Sequence, residues 1–436
     1  IGHVLTRKNQ VELEKVNSSG GVFAPTIRYN NGRFYMVTTN DTTHRNFYVY
    51  TDDIHGEWSD PITIDQDGID PSLYFEDGRA FFISNGTDCE GKGGVVQCEI
   101  NIETGEKLTE SRCIWQGSGG RYLESPHMYK IGKYYYLMAA EGGTEYGHMI
   151  TYARSESVWG KFEGYPHNPV LTNRNKAPFI IQGIGHGDLI QDKNGEWHII
   201  CLGFRQIHMW MTYHHLGREC FLIPVTFHED GWFTAGNGTC EESYELSGDF
   251  AQLPLKTYTL ENIGHDICHL RHPHTENYSI TKDKITLKGT DVTLDDVDSP
   301  TFAGVRQRDF DMDCSVSVSV SDGEGGLTVY SCETEHYDLA VRKNEGGYEA
   351  ILRLNIGGIR HIEKAVQIPS GDAKLIIRSD SQVYKFFVQP QGEEIPMGFA
   401  MSKYLSSEVC GGFTGTVIGM YAVKGSAEFT DLRISY

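Results

Sequence analysis

Residues 70–85 read DPSLYFEDGRAFFISN, and this stretch decides the fold. It is a short strand, a polar turn containing Gly, and a second strand rich in aromatic and apolar residues. The same layout occurs three more times: APTIRYNNGRFYMVTT at 24–39, SPHMYKIGKYYYLMA at 125–139 and HGDLIQDKNGEWHIICL at 186–202. Its glycines stand at 32, 78, 132 and 195, so the unit recurs at intervals of 46, 54 and 63 residues. A further strand follows in at least two units, in YVYTDDIHGEWSDP (48–61) and ITYARSESVWGKFEGYP (150–166). A hairpin with added strands at this spacing has the size of a propeller blade. Helical solenoids would need segments of helical period, and none is visible. A sandwich of unequal strands is the alternative, and the regular spacing favours the propeller.

Alignment on the apolar strand sets Leu73 against Ile27, Met128 and Leu189. Asp70 then falls with Ala24, Ser125 and His186, and Glu124 stands one residue earlier. The innermost strands of a propeller surround one axis. Asp70, Glu124 and His186 are therefore expected to converge there despite their separation in sequence.

The totals fit this reading. The chain has 436 residues, long enough for two domains. Its 49 Gly and 50 aromatic residues (20 Phe, 24 Tyr and 6 Trp) favour a turn-rich β protein. A net charge of −21 repels phosphate backbones and anionic lipid, so nucleic acid and membrane are excluded as expected partners. No apolar run is long enough to span a bilayer. Ten scattered Cys include no C-x-x-C pair, and they read as free thiols. His214, His215 and Cys220 match no zinc spacing. The chain begins with Ile and shows no signal peptide. A cytoplasmic location is expected, with secretion as the alternative.

The second half changes character. Residues 248–264, GDFAQLPLKTYTLENIG, read as a linker between a propeller at 1–247 and a second domain at 265–436. That domain alternates strands and polar turns, as in CSVSVSV (314–320), GLTVYSC (326–332), YEAILRLNI (348–356), TVIGMYAV (416–423) and AEFTDLRISY (427–436). The pattern predicts a two-sheet β-sandwich.

Longer motifs carry a resemblance. GVFAPTIRYNNGRFYMV, DGIDPSLYFEDGRAFF, GGRYLESPHMYKIGKYYYLMAAEGGTEYGHM, HNPVLTNRN, GIGHGDLI and HHLGRECFLIPV resemble glycoside hydrolase family 43, in its β-xylosidase and α-L-arabinofuranosidase branch. TENYSITKDKITLKGT, SPTFAGVRQRDFD and EHYDLAV are similar to the sandwich appended in that branch. The resemblance implies an all-β protein, a five-bladed β-propeller followed by a β-sandwich. It also implies an exo-acting, inverting glycosidase that releases xylose or arabinose from xylo- or arabino-oligosaccharides and requires no cofactor. By motif, Glu124 in LESPH matches the general acid and Asp70 in GIDPS the Asp that tunes the acid's pKa. Arg218 in HHLGREC and Thr144 in EGGTEYG match substrate contacts, and Phe23 stands where many members carry Trp. His186 in GIGHGD matches the His beside the axis that often helps to hold a structural calcium ion or its waters. A homo-oligomer is compatible with this picture.

Inversion needs one protonated carboxyl beside the leaving oxygen and one carboxylate that activates water on the opposite face. By spacing alone, Glu124 is an edge carboxylate and Asp70 a turn residue before Pro71; convergence at the axis and the resemblance select the acid–base roles. The family's base Asp lies in a PDPS-like motif upstream of a segment resembling IGHVLTR, which here begins at Ile1. Four inner strands are counted where a five-bladed ring needs five. The expectation is an incomplete first blade, no general base in the chain, and little hydrolysis unless an upstream segment or a partner restores that base. A non-catalytic, sugar-binding propeller is the alternative.

Overall fold

The computed structural model describes residues 2–207, 210–245 and 256–436. The chain divides into two compact units, residues 1–11, 20–206 and 219–250 in the first, and 12–19, 207–218 and 251–436 in the second.

Among the described residues, the first unit contains four antiparallel four-stranded sheets, each a blade whose strands follow chain order. The first holds β1 (Thr26–Asn30), β2 (Arg33–Asn40), β3 (Arg45–Thr51) and β4 (Ile62–Ile64). The second holds β5 (Ser72–Glu76), β6 (Arg79–Thr87), β7 (Gly93–Ile100) and β8 (Arg112–Trp115). The third holds β9 (Glu124–Ile131), β10 (Tyr134–Glu141), β11 (Met149–Ser155) and β12 (Glu163–Gly164). The fourth holds β13 (Ile181–Gln191), β14 (Trp197–Arg205), β15 (Glu219–Phe227) and β16 (Phe233–Ala235).

Local chemistry sets the hairpins. Asn31-Gly32 and Asp77-Gly78 each close a two-residue loop with positive φ at both positions. That is the turn whose twist matches the flanking strands, and Asn, Asp and Gly tolerate it best. Packing between blades then explains the apolar runs. Along β6, Phe81 and Ile83 enter a core shared with Leu137 and Ala139 of the third blade. Their neighbours Ala80 and Phe82 enter a core shared with Tyr35 and Val37 of the first. Along β10, Tyr136 and Met138 turn to the fourth blade and meet Ile184 and Ile199. A strand buried on both faces needs apolar residues at every position, so GRAFFIS and YYYLMA do not alternate in polarity.

The second unit is the β-sandwich, with one large apolar core. Two segments read as strand pairs are single long strands, Met312–Cys332 and Val417–Ser435, paired antiparallel. Their ladder shifts register near Val320–Glu324, so the Gly-rich segment at 322–326 bends a continuous strand instead of ending it. The first half of Met312–Cys332 pairs with Asp372–Ser379 and the second half with Glu335–Asn344, so one strand serves two parts of the sheet.

The linker reading of 248–264 changes accordingly. Residues 248–255 lie outside the described residues. At 256–264, Tyr258 exchanges backbone hydrogen bonds with Ile434, and Tyr258, Leu260 and Ile263 join the sandwich core. Three apolar side chains at this spacing are better buried than solvated, which is why the segment packs instead of linking. Among the described residues, no helix is long and apolar enough to cross a membrane.

Candidate functional site

The site grows from one backbone device repeated at the start of each inner strand. In the third blade, His127 pairs with Met138 and Glu124 with Ala140, so Ser125-Pro126 face Ala139 alone. In the fourth, Asp188 pairs with Ile200 and Gly185 with Leu202, so His186-Gly187 face Cys201 alone. In the second, Ser72 pairs with Ile83 while the Asn85 N–H donates to the Ile69 carbonyl, which leaves Asp70-Pro71 against Ser84. In the first, Thr26 pairs with Val37 while the Phe23 N–H donates to the Thr39 carbonyl, which leaves Ala24-Pro25 against Thr38.

Each is a β-bulge, two residues opposing one. Such bulges bend a strand and re-aim its side chains. At Asp70, Ser125 and His186 the first bulge residue is left-handed, with φ of 52°, 47° and 48°. Side chains other than Gly rarely hold this conformation, and such strain concentrates at functional sites. The four residues aligned in sequence thus occupy equivalent points of four blades.

Around the axis, His186 Nδ1 lies 3.9 Å from Asp70 Oδ2, and the His127 and His186 rings are 6.1 Å apart. Arg28 of β1 spans Asp188 of β13, with Nη1 donating to Oδ2 at 2.6 Å and Nη2 to Oδ1 at 3.0 Å. The same Nη2 lies 2.8 Å from His127 Nδ1. Arginine only donates, so Nδ1 accepts and the ring proton sits on Nε2. Tyr129 donates to Asp188 and accepts from the Leu189 N–H. Burial drives the His127 pKa down to about 3, which keeps the ring neutral. Burial also works against a charge on Asp188, but the Arg28 guanidinium and the hydrogen bonds from Arg28 and Tyr129 outweigh it and hold its pKa below the usual carboxylate range. The Arg28–His127–Asp188–Tyr129 cluster was not singled out in the sequence. Its signal was polar residues at alternate positions of apolar inner strands, His127 with Tyr129 and His186 with Asp188.

Glu124 opens β9, half-buried, beside the Ser125 bulge. Thr144 is half-buried in the 142–148 loop, where the Gly142 N–H donates to the Arg121 carbonyl at 2.8 Å. Phe23 is half-buried at the first bulge, and its carbonyl accepts the Thr38 hydroxyl at 2.7 Å. Arg218 belongs to the second unit, exposed, with its guanidinium 4.7 Å from the Phe413 ring.

Calcium takes six to eight oxygens; His186 and Asp70 offer one ring and one carboxylate and Asp188 is spanned by Arg28, so an ion beside His186 would be held mainly through waters. Among the described residues, no group of three or more acidic, His or Cys side chains could hold a metal.

Residues 1–233 match the family model described as glycosyl hydrolases family 43, and residues 256–433 match the β-xylosidase C-terminal concanavalin A-like domain. The chain is 37% identical over 439 residues to a non-reducing end α-L-arabinofuranosidase of Bacteroides ovatus, covering 97% of this chain and 82% of that protein. It is 31% identical over 451 residues to a xylosidase/arabinosidase of Butyrivibrio fibrisolvens, covering 97% and 86%. Among solved structures, it superposes on the xyloglucan-locus GH43B protein of Bacteroides ovatus with a TM-score of 0.92 at 36% identity, covering 99% and 89% of the two chains. It superposes on the xylan β-1,4-xylosidase of Bacillus halodurans with a TM-score of 0.91 at 26% identity, covering 100% and 91%.

Proposed function

This chain belongs to glycosyl hydrolases family 43 and is a glycosidase, and from that premise we propose that it removes terminal xylose or arabinose units from xylo- or arabino-oligosaccharides with inversion. A family 43 glycosidase needs no cofactor for this reaction. Glu124 donates its proton to the glycosidic oxygen as the C1–O bond breaks. Water attacks C1 from the opposite face and passes its proton to a second carboxylate. Asp70 orients Glu124 and tunes its pKa, Phe23 stacks on the sugar and Thr144 lines its pocket. Arg218 enters as a sugar contact on its motif alone. The four blades belong to a five-bladed ring, and no residue of 1–436 is assigned as the base. With all ten cysteines unbonded, a reducing cytoplasmic location is part of the same reading.

The observation that carries the proposal is the repeated bulge. It puts the Asp70, Ser125 and His186 backbones in one strained conformation at equivalent points, with Glu124 adjoining one and Asp70 facing His186. The pentose class is supported by the names of the relatives above. The test compares the enzyme in its full natural length with Glu124→Gln on nitrophenyl β-xyloside, nitrophenyl α-L-arabinofuranoside and an unactivated xylobiose, following the product anomer by NMR. The expected result is initial release of the inverted anomer and a loss of about 10²–10⁴-fold for Glu124→Gln on the unactivated substrate. Initial release of the retained anomer, or unaltered turnover in Glu124→Gln, refutes the reading.

A further inference from the structure

The loop that leads to Glu124 is anchored by a second carboxylate. Glu141 ends β10 with no solvent exposure. Its Oε1 accepts the Ser118 N–H at 2.7 Å, the Ser118 hydroxyl at 3.0 Å and the Thr151 hydroxyl at 2.8 Å. Its Oε2 accepts the Gly120 N–H at 2.5 Å. Four donors converge on one group, and only an acceptor-only side chain with two oxygens can satisfy them all. The loop wraps closely, since a Cβ at Gly120 would lie 2.5 Å from Oε2 and one at Gly117 would lie 3.0 Å from Oε1.

The next residues link this anchor to the acid. The Arg121 carbonyl accepts the N–H of Gly142, the residue after Glu141. Tyr122 is left-handed, with φ of 54°, and its ring would lie 3.3 Å from a Cβ at Gly143. Glu124 then pairs with Ala140, the residue before Glu141, and Ser125 is left-handed in turn. Glu124 thus sits between two strained residues. Such strain persists only where the surroundings enforce it. The ladder enforces it on the Ser125 side, and the Glu141 hydrogen bonds do so on the Tyr122 side.

We propose that Glu141 is a positioning residue, holding the 117–122 loop so that the Glu124 carboxyl keeps its place beside the glycosidic oxygen. The inference rests on Glu124 being the acid. Glu141 itself is fully buried and acts through the loop it holds. A displaced acid hurts most where the leaving group cannot depart without a proton, so the signature is a split between substrates and not a uniform loss.

The test measures kcat and KM for Glu141→Gln, Ser118→Ala and Glu124→Gln on an unactivated pentose disaccharide and on the matching dinitrophenyl glycoside, with a melting temperature for each variant. Glu141→Gln keeps the shape but turns an N–H toward a donor. It is expected to lower kcat on the disaccharide about 10- to 100-fold, the scale of a misplacement near 1 Å, and kcat on the activated glycoside less than about threefold. Ser118→Ala removes one donor and is expected to show the same split at smaller amplitude, which keeps the test open should Glu141→Gln fail to fold. Equal losses on both substrates in the folded variants, or no loss in either, overturn the inference while the Glu124 reading stands. If Glu124→Gln itself shows no split, the acid assignment fails and this inference fails with it.

Discussion

Arg28 and Asp188 are 160 residues apart in the chain and joined by two hydrogen bonds, at 2.6 and 3.0 Å, between the inner strands of the first and fourth blades. The pair sets two opposite charges side by side at the axis. It also sets the state of His127, whose Nδ1 faces the guanidinium.

The axis should make the enzyme acid-sensitive. His127 is held near 3 in the folded chain, against an unfolded value of about 6.5. The unfolded state therefore binds more protons below pH 6.5, and stability that is full above that pH falls on acidification. The loss is on the order of 2 kcal/mol between pH 6.5 and 4.5. Asp188, held below the usual carboxylate range, adds a loss only below about pH 4, as the unfolded carboxyl protonates. Melting temperature against pH should fall through the first window in the parent enzyme and flatten there in His127→Gln. Identical slopes in both would refute the assignment.

Asp70→Asn should keep the fold, because Asn tolerates the left-handed backbone that Asp70 adopts at φ 52°. Removing a negative neighbour lowers the acid's pKa, so the alkaline limb of the kcat/KM profile should move to lower pH and turnover should fall. A melting temperature near the parent's with an unshifted profile would remove Asp70 from the tuning role.

Phe82→Ala should cost about 3–5 kcal/mol, since Phe82 is fully buried between the first and second blades. Urea unfolding followed by tryptophan fluorescence measures this. A cost under about 1 kcal/mol would mean that the two sheets do not share the core described.

The sequence by itself determined the elements and their repetition. Two-residue turns such as Asn31-Gly32 and Asp77-Gly78 act over a few bonds, and so does the preference of β-branched and aromatic runs for strands. The equivalence of Ala24, Asp70, Ser125 and His186 was legible too, because they stand at one offset from the apolar strand, but the bulge at each was not. Tertiary structure alone decided which charges meet. Nothing near Arg28 in the chain selects Asp188, and nothing in the run LMAAEGG marks Glu141 as the anchor of Ser118 and Gly120. It also decided that 256–264 joins the sandwich core and that 207–218 groups with that unit. Local propensity is read from neighbours in sequence. Burial of a charge or an apolar side chain depends on strands brought together only when the sheets close around their cores, and that closure is a property of the whole chain.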